Sequence, residues 1–359
     1  MIRFIKKVKD NRVLVKKENG LIMSMTHLNP YTADFRGKEL QLDYLVAVAT
    51  LPERQREGHY ADLFRELLQD QLEEGKPFTW LVPVNPDVYR PFGFTFVGDV
   101  CSFRLTEDAE KRLVRRTCTD SKEDLAAAAE YMERWLSARA ELHTRRDKAY
   151  VRRMLKELAS EEGTLEFLCD GETVAGLYAE WGFGEREVRL LYADGPYVEE
   201  TGKKPWSMAR VTDARTLFTL FRKKPEEPDV LAELGAGQEE SFYDPDEDAA
   251  DAGEEEGVVI NIRITDPILA ENNRTFVWTL TERGASAVPA DEMASSGEDA
   301  GDTPESVTSP DITVTPEELV SWLFGRESMY RLWPDAGVKA FTLLNQVDII
   351  NGVYLDELV

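Results

Sequence analysis

The chain has 359 residues, with 68 Asp or Glu against 43 Lys or Arg, and its formal net charge is -25. This length exceeds what one hydrophobic core normally organises, so we expect two or three domains. The acidic excess disfavours nucleic acid as the main partner, because phosphate binding requires clustered basic side chains. Cationic small molecules suit the charge better, although an acidic balance is also a general solubility device.

Cysteines, histidines and apolar segments narrow the class of protein. Cys101, Cys118 and Cys169 show no C-x-x-C spacing, which predicts neither a disulfide framework nor a zinc site. The three histidines have no metal-ligand spacing either, so no metal is expected. No segment approaches the ~20 apolar residues of a membrane span, and the start lacks the apolar run of a signal peptide. We therefore expect a cytoplasmic protein without a membrane partner.

The first hundred residues predict an α/β layer. Residues 11–50 alternate apolar and polar positions between turn residues, which indicates the strands of a sheet. The segment FTWLVPV predicts a further strand, and NPDVYRPFGFTFV, with two prolines and Gly93, predicts a short helix and a hairpin. Between residue 50 and FTWLVPV, a helix packed on the sheet is indicated by apolar residues at three- and four-residue spacings, namely Leu63, Phe64, Leu67, Leu68 and Leu72.

Two further units follow. The charged stretch 121–161 predicts two helices, and TLEFLCDGETVAGLYAEWG with EREVRLLYAD predicts hairpin strands. PWSMARVTDARTLFTLF then predicts a strand entering a helix, and a sheet with at least one more helix follows it. Two acidic stretches of this last unit, near 226–257 and 285–312, are poor in large apolar residues and are interpreted as mobile insertions. The predicted domains are 1–105, 106–204 and 205–359.

The segment VAVATLPERQREGHYADLFRELL leads from a strand through Q-x-x-G into a helix. The first turn of a helix leaves backbone N–H groups unpaired at the positive end of the helix dipole, which suits a pyrophosphate. Gly58 allows close approach of a ligand to the backbone. An ordinary strand-to-helix turn with charged residues has the same pattern, so the motif alone leaves both interpretations open.

The order VAVATLPERQREGHYADLFRELL, KPFTWLVP and VYRPFGFTFV resembles the coenzyme A core of the GNAT superfamily of N-acetyltransferases. In that superfamily an R/Q-x-x-G-x-G/A turn holds the coenzyme A pyrophosphate, and Tyr60 stands where a small residue is usual. The resemblance implies acetyl-CoA as co-substrate, held by the amides of the turn and by backbone pairing with the pantetheine arm. The implied coenzyme contacts are Val48, Ala49, Thr50, Gln55, Arg56, Glu57, Gly58, His59, Tyr60, Ala61 and Asn85.

The segments ATLPERQREGHYADL, LVPVNPDVYRPFGF, PWSMARVTDA and GVYLDELV together resemble the enhanced intracellular survival (Eis) family of aminoglycoside-type acetyltransferases. The resemblance implies an α/β (α+β) fold in which two GNAT-like mixed-sheet modules precede a sterol-carrier-protein-like α+β module. It is also compatible with a homo-oligomer. The opening MIRFIKKVKD is shorter than the family's usual start, so we expect part of the acceptor-side wall to be absent.

The same resemblance implies two catalytic groups. Tyr89 aligns with the family's general-acid tyrosine, and Val359 would carry the terminal carboxylate that acts as the second group. A phenol with a reference pKa of about 10 can protonate a thiolate leaving group. From the residues alone, a core aromatic at Tyr89 and a terminus packed for stability stay open as alternatives. Cys101 and Cys118 are interpreted as buried or incidental thiols, because direct transfer needs no acyl-enzyme, and His59 is expected to be solvated.

The predicted function is the transfer of an acetyl group from acetyl-CoA to a primary amine of an aminoglycoside-like, polyamine-like or lysine-type acceptor. The alternative is a non-catalytic binding protein, in which the GNAT modules are a scaffold and the C-terminal module captures an apolar ligand or partner. Fold-level analogy alone is poor evidence for that second role. Saturable binding of acetyl-CoA would distinguish the two.

Overall fold

A computed structural model describes residues 2–4, 11–225, 257–295 and 309–357. The first predicted acidic insertion therefore lies outside the described residues except for Gly257, and residues 296–308 of the second lie outside them too. Val359 also lies outside them.

The described strands share the three sheets treated below. They are β1 Ile2–Phe4, β2 Arg12–Glu18, β3 Leu21–Phe35, β4 Lys38–Thr50, β5 Phe78–Leu81, β6 Thr95–Leu105, β7 Val114–Thr117, β8 Leu142–Thr144, β9 Thr164–Asp170, β10 Thr173–Trp181, β11 Glu187–Ala193, β12 Val198–Val211, β13 Val258–Ile264, β14 Thr275–Thr281, β15 Gly284–Pro289, β16 Ile312–Val314 and β17 Val353–Tyr354.

The described α-helices mostly follow or cross these strands. They are α1 His59–Glu73, α2 Glu107–Arg112, α3 Lys122–Ser137, α4 Lys148–Ser160, α5 Ala214–Phe218, α6 Ala290–Ser295, α7 Pro316–Leu323, α8 Met329–Leu332 and α9 Val338–Leu344. Three single 3-10 turns occupy Pro52–Arg54, Pro86–Val88 and Arg90–Phe92.

A mixed sheet of nine strands dominates the described structure. Its order is β1-β2-β3-β4-β5-β12-β6, with β8 beside β3 and β17 beside β8. Only the β4–β5 and β8–β17 pairs within it are parallel. Strand β12 enters between β5 and β6 and pairs with β6 along most of its length. The predicted boundary between residues 204 and 205 falls inside β12, because this strand continues from one predicted domain into the next while it completes the sheet of the first.

Two four-stranded sheets accompany the large one. The order β11-β10-β9-β7 is antiparallel, and β15-β14-β13-β16 ends in the parallel pair β13–β16. Residues 285–295 were predicted to begin an insertion, but they complete β15 and form α6. The prediction was wrong there because small residues can still alternate across a strand, as buried Ala287 and Pro289 do between less buried neighbours. The fold thus mixes helices and strands, as predicted.

Helix α1 packs on the large sheet in the predicted manner. Leu63, Phe64, Leu67 and Leu68 are buried, because three- and four-residue spacings place them on one face. The helix ends at Glu73, before a glycine with positive φ. The hairpin predicted at residues 85–97 does not form. Two 3-10 turns occupy the segment instead, and β6 after them pairs with the distant β12.

One apolar core runs through the three sheets, with Trp80 and Trp278 among its largest fully buried side chains. A fully buried ion pair between Arg210 of β12 and Asp266 ties the third sheet's module to the large sheet, with Nη2–O distances of 2.7 and 2.9 Å. The helices in the described part of the chain include none with the length and apolar character needed to cross a bilayer.

Candidate active site

The turn between β4 and α1 presents unpaired backbone N–H groups. Arg56 and Gly58 adopt φ values of +67° and +85°, and the helix begins at His59. No side chain caps this N-terminus, and the first hydrogen bond of the helix runs from Asp62 N to Gly58 O at 3.0 Å. The helical N–H groups before Asp62 therefore project from the positive end of the helix dipole. This geometry can bind an anion.

Strand β4 separates from β5 just before this turn. Their parallel pairing stops at Leu45 and Leu81, and among the described residues β4 then pairs only with β3. Ala47, with φ +50°, forms a bulge where the register with β3 shifts. Backbone groups in a strand alternate between its two neighbours, so those of residues 46–50 that face the β5 side lack a described strand partner. They are available to an extended ligand.

The structure places the predicted coenzyme residues of β4 and the turn where the end of β4 leads into the start of α1. Gln55, Arg56, Glu57 and Gly58 are exposed. Arg54 Nε donates to Glu57 Oε2 at 2.7 Å, whereas Arg56 has no ion pair with any described residue. Arg56 is therefore a cation that a bound phosphate could recruit.

His59 is buried, whereas the sequence predicted a solvated side chain. Its Nδ1 lies 3.4 Å from Glu18 Oε1 of β2, and its Nε2 lies 3.4 Å from Glu57 Oε2. Neither contact has hydrogen-bond geometry, and both ring nitrogens are shielded from solvent. The prediction failed because the β2–β3 hairpin covers the imidazole. The residues of the turn alone do not indicate that contact.

Tyr60, which departs from the small residue usual at its position, packs its ring into the core. The ring centroid lies 4.7 Å from that of Phe64 and 5.3 Å from that of Phe92. Burial raises the pKa of the Tyr60 phenol, with a smaller contribution from Tyr89. Because the side chain takes its contacts from the core, the substitution leaves the backbone of the turn in its anion-binding geometry.

Tyr89 lies between the two 3-10 turns that follow β5, half-buried beside the same aromatic cluster. Its ring centroid is 6.0 Å from that of Phe64 in α1 and 6.0 Å from that of Phe94. Burial raises the pKa of the Tyr89 phenol above its ordinary value. The hydroxyl therefore stays protonated at neutral pH, which is the state a general acid requires.

Arg210 holds the segment that carries Tyr89. Its Nε donates to the carbonyl of Phe92 at 2.5 Å, while its Nη2 bonds to Asp266. The sequence analysis did not single out Arg210, because its partners lie 118 and 56 residues away. Nearby, Asn85 uses its side-chain oxygen to accept from Asp87 N at 3.1 Å, so that oxygen caps the first 3-10 turn. The Asn85 amide nitrogen keeps no described partner.

The C-terminal segment docks against the sheet that carries the turn. Strand β17 runs parallel to β8 at the edge of β3. Beyond it, Glu357 is buried, and its carbonyl accepts a hydrogen bond from Tyr44 Oη of β4 at 3.3 Å. Tyr89 contributes to raising the pKa of Tyr44, after burial and the charge of Glu357. The tail thus contacts β4 directly through Tyr44.

A cluster around Arg146, which the sequence analysis missed, fixes this tail. The fully buried guanidinium pairs with the carboxylates of Glu357 and Asp356. Glu357 also accepts from Thr144 Oγ1 at 2.7 Å and from Tyr150 Oη at 3.0 Å. No local pattern could have revealed the cluster, because Arg146 and Glu357 are 211 residues apart. We call these five residues the tail clamp.

The thiols take no part in this geometry. Cys118 is buried in the second module, and burial raises the pKa of its thiol to about 12. Burial likewise raises the pKa of Cys101. Neither thiol is poised as a thiolate nucleophile at neutral pH. Among the described residues, no group of three or more His, Cys, Asp or Glu side chains could hold a metal ion.

Comparison with known proteins adds to this geometry. Residues 2–97 match the family model described as an acetyltransferase (GNAT) domain. This range contains β1 to β5, helix α1, the turn and Tyr89. No curated protein matches the chain.

Several solved structures share the fold over nearly the whole chain. A conserved protein of unknown function from Enterococcus faecalis V583, described as a probable N-acyltransferase, is 12% identical with a TM-score of 0.66, covering 97% of this chain and 89% of that chain. A GCN5-related N-acetyltransferase from Anabaena variabilis is 12% identical with a TM-score of 0.66, covering 98% and 90%. Eis1 from Mycobacterium abscessus is 13% identical with a TM-score of 0.59, covering 97% and 90%.

At these identities the structural likeness establishes the fold, and the domain match supplies the enzyme class. The chain therefore contains, at residues 2–97, a GNAT acetyltransferase domain, and it is an acyltransferase in class.

Proposed function

We propose that this protein moves an acetyl group from acetyl-CoA directly to a primary amine. The observation that carries the proposal is the divergence of β4 from β5 beside the uncapped N-terminus of α1, inside the domain that matches the acetyltransferase family. A strand edge without a partner and a helix N-terminus without a cap together suit a ligand with an amide-bearing arm and a diphosphate. Coenzyme A has both parts.

In this proposal the coenzyme lies along the open edge of β4 and over the turn. The amides from Arg56 to Ala61 receive the diphosphate, and Arg56 adds a cation. The backbone of Val48, Ala49 and Thr50 pairs with the pantetheine arm. Gly58 keeps the approach to the turn open, because a Cβ there would meet no protein atom within 4 Å and would project into the ligand's space.

The transfer needs no covalent enzyme intermediate. The amine lone pair attacks the thioester carbonyl carbon, a C–N bond forms, and the oxyanion is stabilised by backbone donors of β4. The C–S bond then breaks, and the leaving thiolate takes a proton from the Tyr89 hydroxyl. The proton lost by the amine returns through a base or water. Because burial raises the pKa of Tyr89, the phenol is a weak acid, so its proton must be donated as the C–S bond breaks.

The tail is proposed to supply the second catalytic group. Family resemblance gives this role to the Val359 carboxylate, and the support here is the docking of Glu357 on Tyr44, two residues before it. A carboxylate with a reference pKa of about 3.5 is a weak base for an ammonium group, so it would act through water or by orienting the amine. Residues added after Val359 should lower kcat, whereas the same residues added before Met1 should not.

The acceptor is proposed to be an aminoglycoside-like, polyamine-like or lysine-type amine, a class that suits a chain of net charge -25. A sterol-carrier-protein-like third module, a homo-oligomer and a cytoplasmic location stay predictions of the sequence. Tyr60, which stands where the family usually has a small residue, packs into the core, so this departure gives the non-catalytic alternative no support.

The deciding experiment has two parts. Calorimetric titration with acetyl-CoA should show saturable binding, and a panel of amines should then release free coenzyme thiol in proportion to acetylated product. Saturable binding without thiol release for any amine would contradict the proposed transfer and leave the coenzyme site standing. An absence of saturable binding would contradict both the coenzyme site and the proposed function.

A further inference from the structure

A cavity of about 930 Å³ lies between the large sheet and helix α4. One wall comes from β2, β3, β4 and the residues after α1, and the other from residues 145–156. Three carboxylates line it, those of Asp43, Glu74 and Asp147. The cations that line it are Arg12, Lys76, Arg145, Arg152, Arg153 and Lys156.

The lining thus has six cations to three carboxylates in a chain of net charge -25, although Arg12 is paired with Asp43 and Glu74, and Arg145 with Glu39 outside the lining. A protein with so acidic a surface repels anions at long range, so anion binding requires cations gathered close together in a concave site. The six cations arise from three separate chain segments that meet only in the folded molecule. The cavity is therefore the kind of site that can hold an anion despite the net charge.

Two of the cations retain donors for a ligand. Lys156 is exposed and has no hydrogen bond or ion pair with any described residue. The guanidinium of Arg153 lies 4.8 Å from the centroid of the Tyr31 ring and 3.6 Å from Glu157 Oε1, so its planar fork is held by stacking. By contrast, Arg152 bonds to Asp120 at 2.8 Å, outside the cavity lining.

Helical spacing aims these two donors at the same space. Arg153 and Lys156 are three residues apart on α4, and Ala149 precedes Arg153 by four, so all three lie on one face beside buried Tyr150. Ala149 is small and leaves the entrance open. A rigid helix thus presents a guanidinium and an ammonium side by side.

We propose that this cavity binds a small molecule carrying phosphate or diphosphate groups. A guanidinium donates two parallel N–H bonds to phosphate oxygens, and an ammonium adds a point charge. The volume is within the range of about 300–1,000 Å³ typical of small-molecule sites. The site differs from the coenzyme turn, because the cavity borders Glu74 and Lys76 beyond the C-terminal end of α1, and a 15-residue helix spans about 22 Å.

Calorimetric titration with sodium pyrophosphate at low salt tests the proposal. Lys156→Glu should raise the dissociation constant for pyrophosphate at least about tenfold, since it replaces a hydrogen-bond donor by a repelling charge. Lys111→Glu makes the same charge change on exposed α2, outside the cavity, and should alter the constant by less than about twofold. Arg56→Glu should weaken any pyrophosphate binding at the coenzyme turn and leave the event that depends on Lys156 unchanged. Arg153→Gln should weaken it as Lys156→Glu does, and thermal unfolding verifies that each variant is folded.

Three outcomes would overturn the proposal. The wild type could show no saturable heat with pyrophosphate. Lys156→Glu and Lys111→Glu could weaken binding equally, which would reveal a general charge effect. Binding could survive Lys156→Glu and disappear in Arg56→Glu, which would place pyrophosphate at the helix N-terminus and leave the proposed acetyltransferase function standing.

Discussion

Tyr44 donates a hydrogen bond of 3.3 Å to the main-chain carbonyl of Glu357, 313 residues further along the chain. The donor sits on β4, the strand that leads into the coenzyme turn, and the ring of Tyr44 stacks on Trp80 of β5 at a centroid distance of 4.3 Å. The acceptor belongs to the C-terminal tail. The bond therefore ties the last part of the chain to the two strands that diverge at the proposed site.

Replacing Tyr89 by Phe should lower kcat at least about tenfold while the affinity for acetyl-CoA stays unchanged, because only the proton donor is lost. Wild-type kcat should fall only above the pH range in which an ordinary phenol titrates, since the active form is the protonated phenol and burial raises its pKa above the reference value of about 10. Steady-state kinetics over pH and coenzyme titration measure both.

The control is Tyr197→Phe, which removes a phenol bonded to Asp170 at 2.8 Å, far along the chain in the second module. It should leave kcat unaltered. Equal kcat for Tyr89→Phe and the wild type would remove Tyr89 from the mechanism.

Replacing Gly58 by Ala should raise the KM for acetyl-CoA. Gly58 has φ +85°, so the substitution costs about 1 kcal/mol of backbone strain, and the added methyl projects toward the open side of the turn. A loss of about 1.4 kcal/mol in the free energy of coenzyme binding would raise the KM about tenfold. Initial rates at varied acetyl-CoA give the KM.

Gly75→Ala is the matched control, because Gly75 follows the other end of α1 with φ +67° and also meets no atom within 4 Å. Both variants should lose similar stability, but only Gly58→Ala should alter the KM. A shared change in KM would mean that helix strain, and not the turn, is responsible.

Replacing Arg146 by Met should destabilise the protein by about 3–5 kcal/mol, because the buried carboxylate of Glu357 and the partly buried one of Asp356 then lose their cation. Burial alone would raise the pKa of Glu357, but the charge and hydrogen bonds of Arg146, with Thr144, outweigh it and hold that pKa below its usual value. Since the folded pKa is depressed, this contribution is present above the unfolded pKa of about 4.3 and is lost as pH falls below it.

Urea unfolding of wild type and Arg146→Met at neutral and acidic pH tests this, and the gap between them should narrow in acid. Arg104→Met serves as the comparison, since it breaks an exposed pair with Glu199 and should cost less than about 1 kcal/mol. A similar small cost for both variants would show that the tail clamp does not stabilise the fold.

Asp70→Asn should stabilise the protein at neutral pH. Burial and the neighbouring carboxylates Glu66, Glu73 and Glu74 raise the pKa of Asp70 to about 6. Between the unfolded pKa of about 3.9 and this value, only the folded state keeps the proton, so stability falls as pH rises. Discounted for solvent screening, the gain from Asn at pH 7 is about 1 kcal/mol, with none at pH near 3.

Asp62→Asn, on the same helix, should have the opposite sign. A hydrogen bond of 2.6 Å from Lys16 lowers the pKa of Asp62, so its loss should weaken the protein slightly at neutral pH. Thermal unfolding at pH 7 and at pH near 3 distinguishes the two variants. Destabilisation by Asp70→Asn at pH 7 would contradict the raised pKa.

Local patterns in the sequence determined the elements of the N-terminal domain. The buried face of α1, the strand before it and the glycine turn between them follow from spacings within about four residues, where neighbours along the chain set the backbone. The same local pattern picked out the turn, whereas Tyr89 was singled out only by the resemblance of its segment to the GNAT and Eis families. Their chemistry depends mainly on backbone conformation and on one phenol.

Only the tertiary structure decided what those elements meet. The insertion of β12 between β5 and β6, the burial of His59 under the β2–β3 hairpin and the tail clamp all join residues far apart in the chain. Such contacts depend on which sheet edges and side chains remain unsatisfied once local structure has formed, and that is a property of the whole packed chain. The cation cavity beside α4 arises in the same way, because its cations converge from three segments that lie far apart in the sequence.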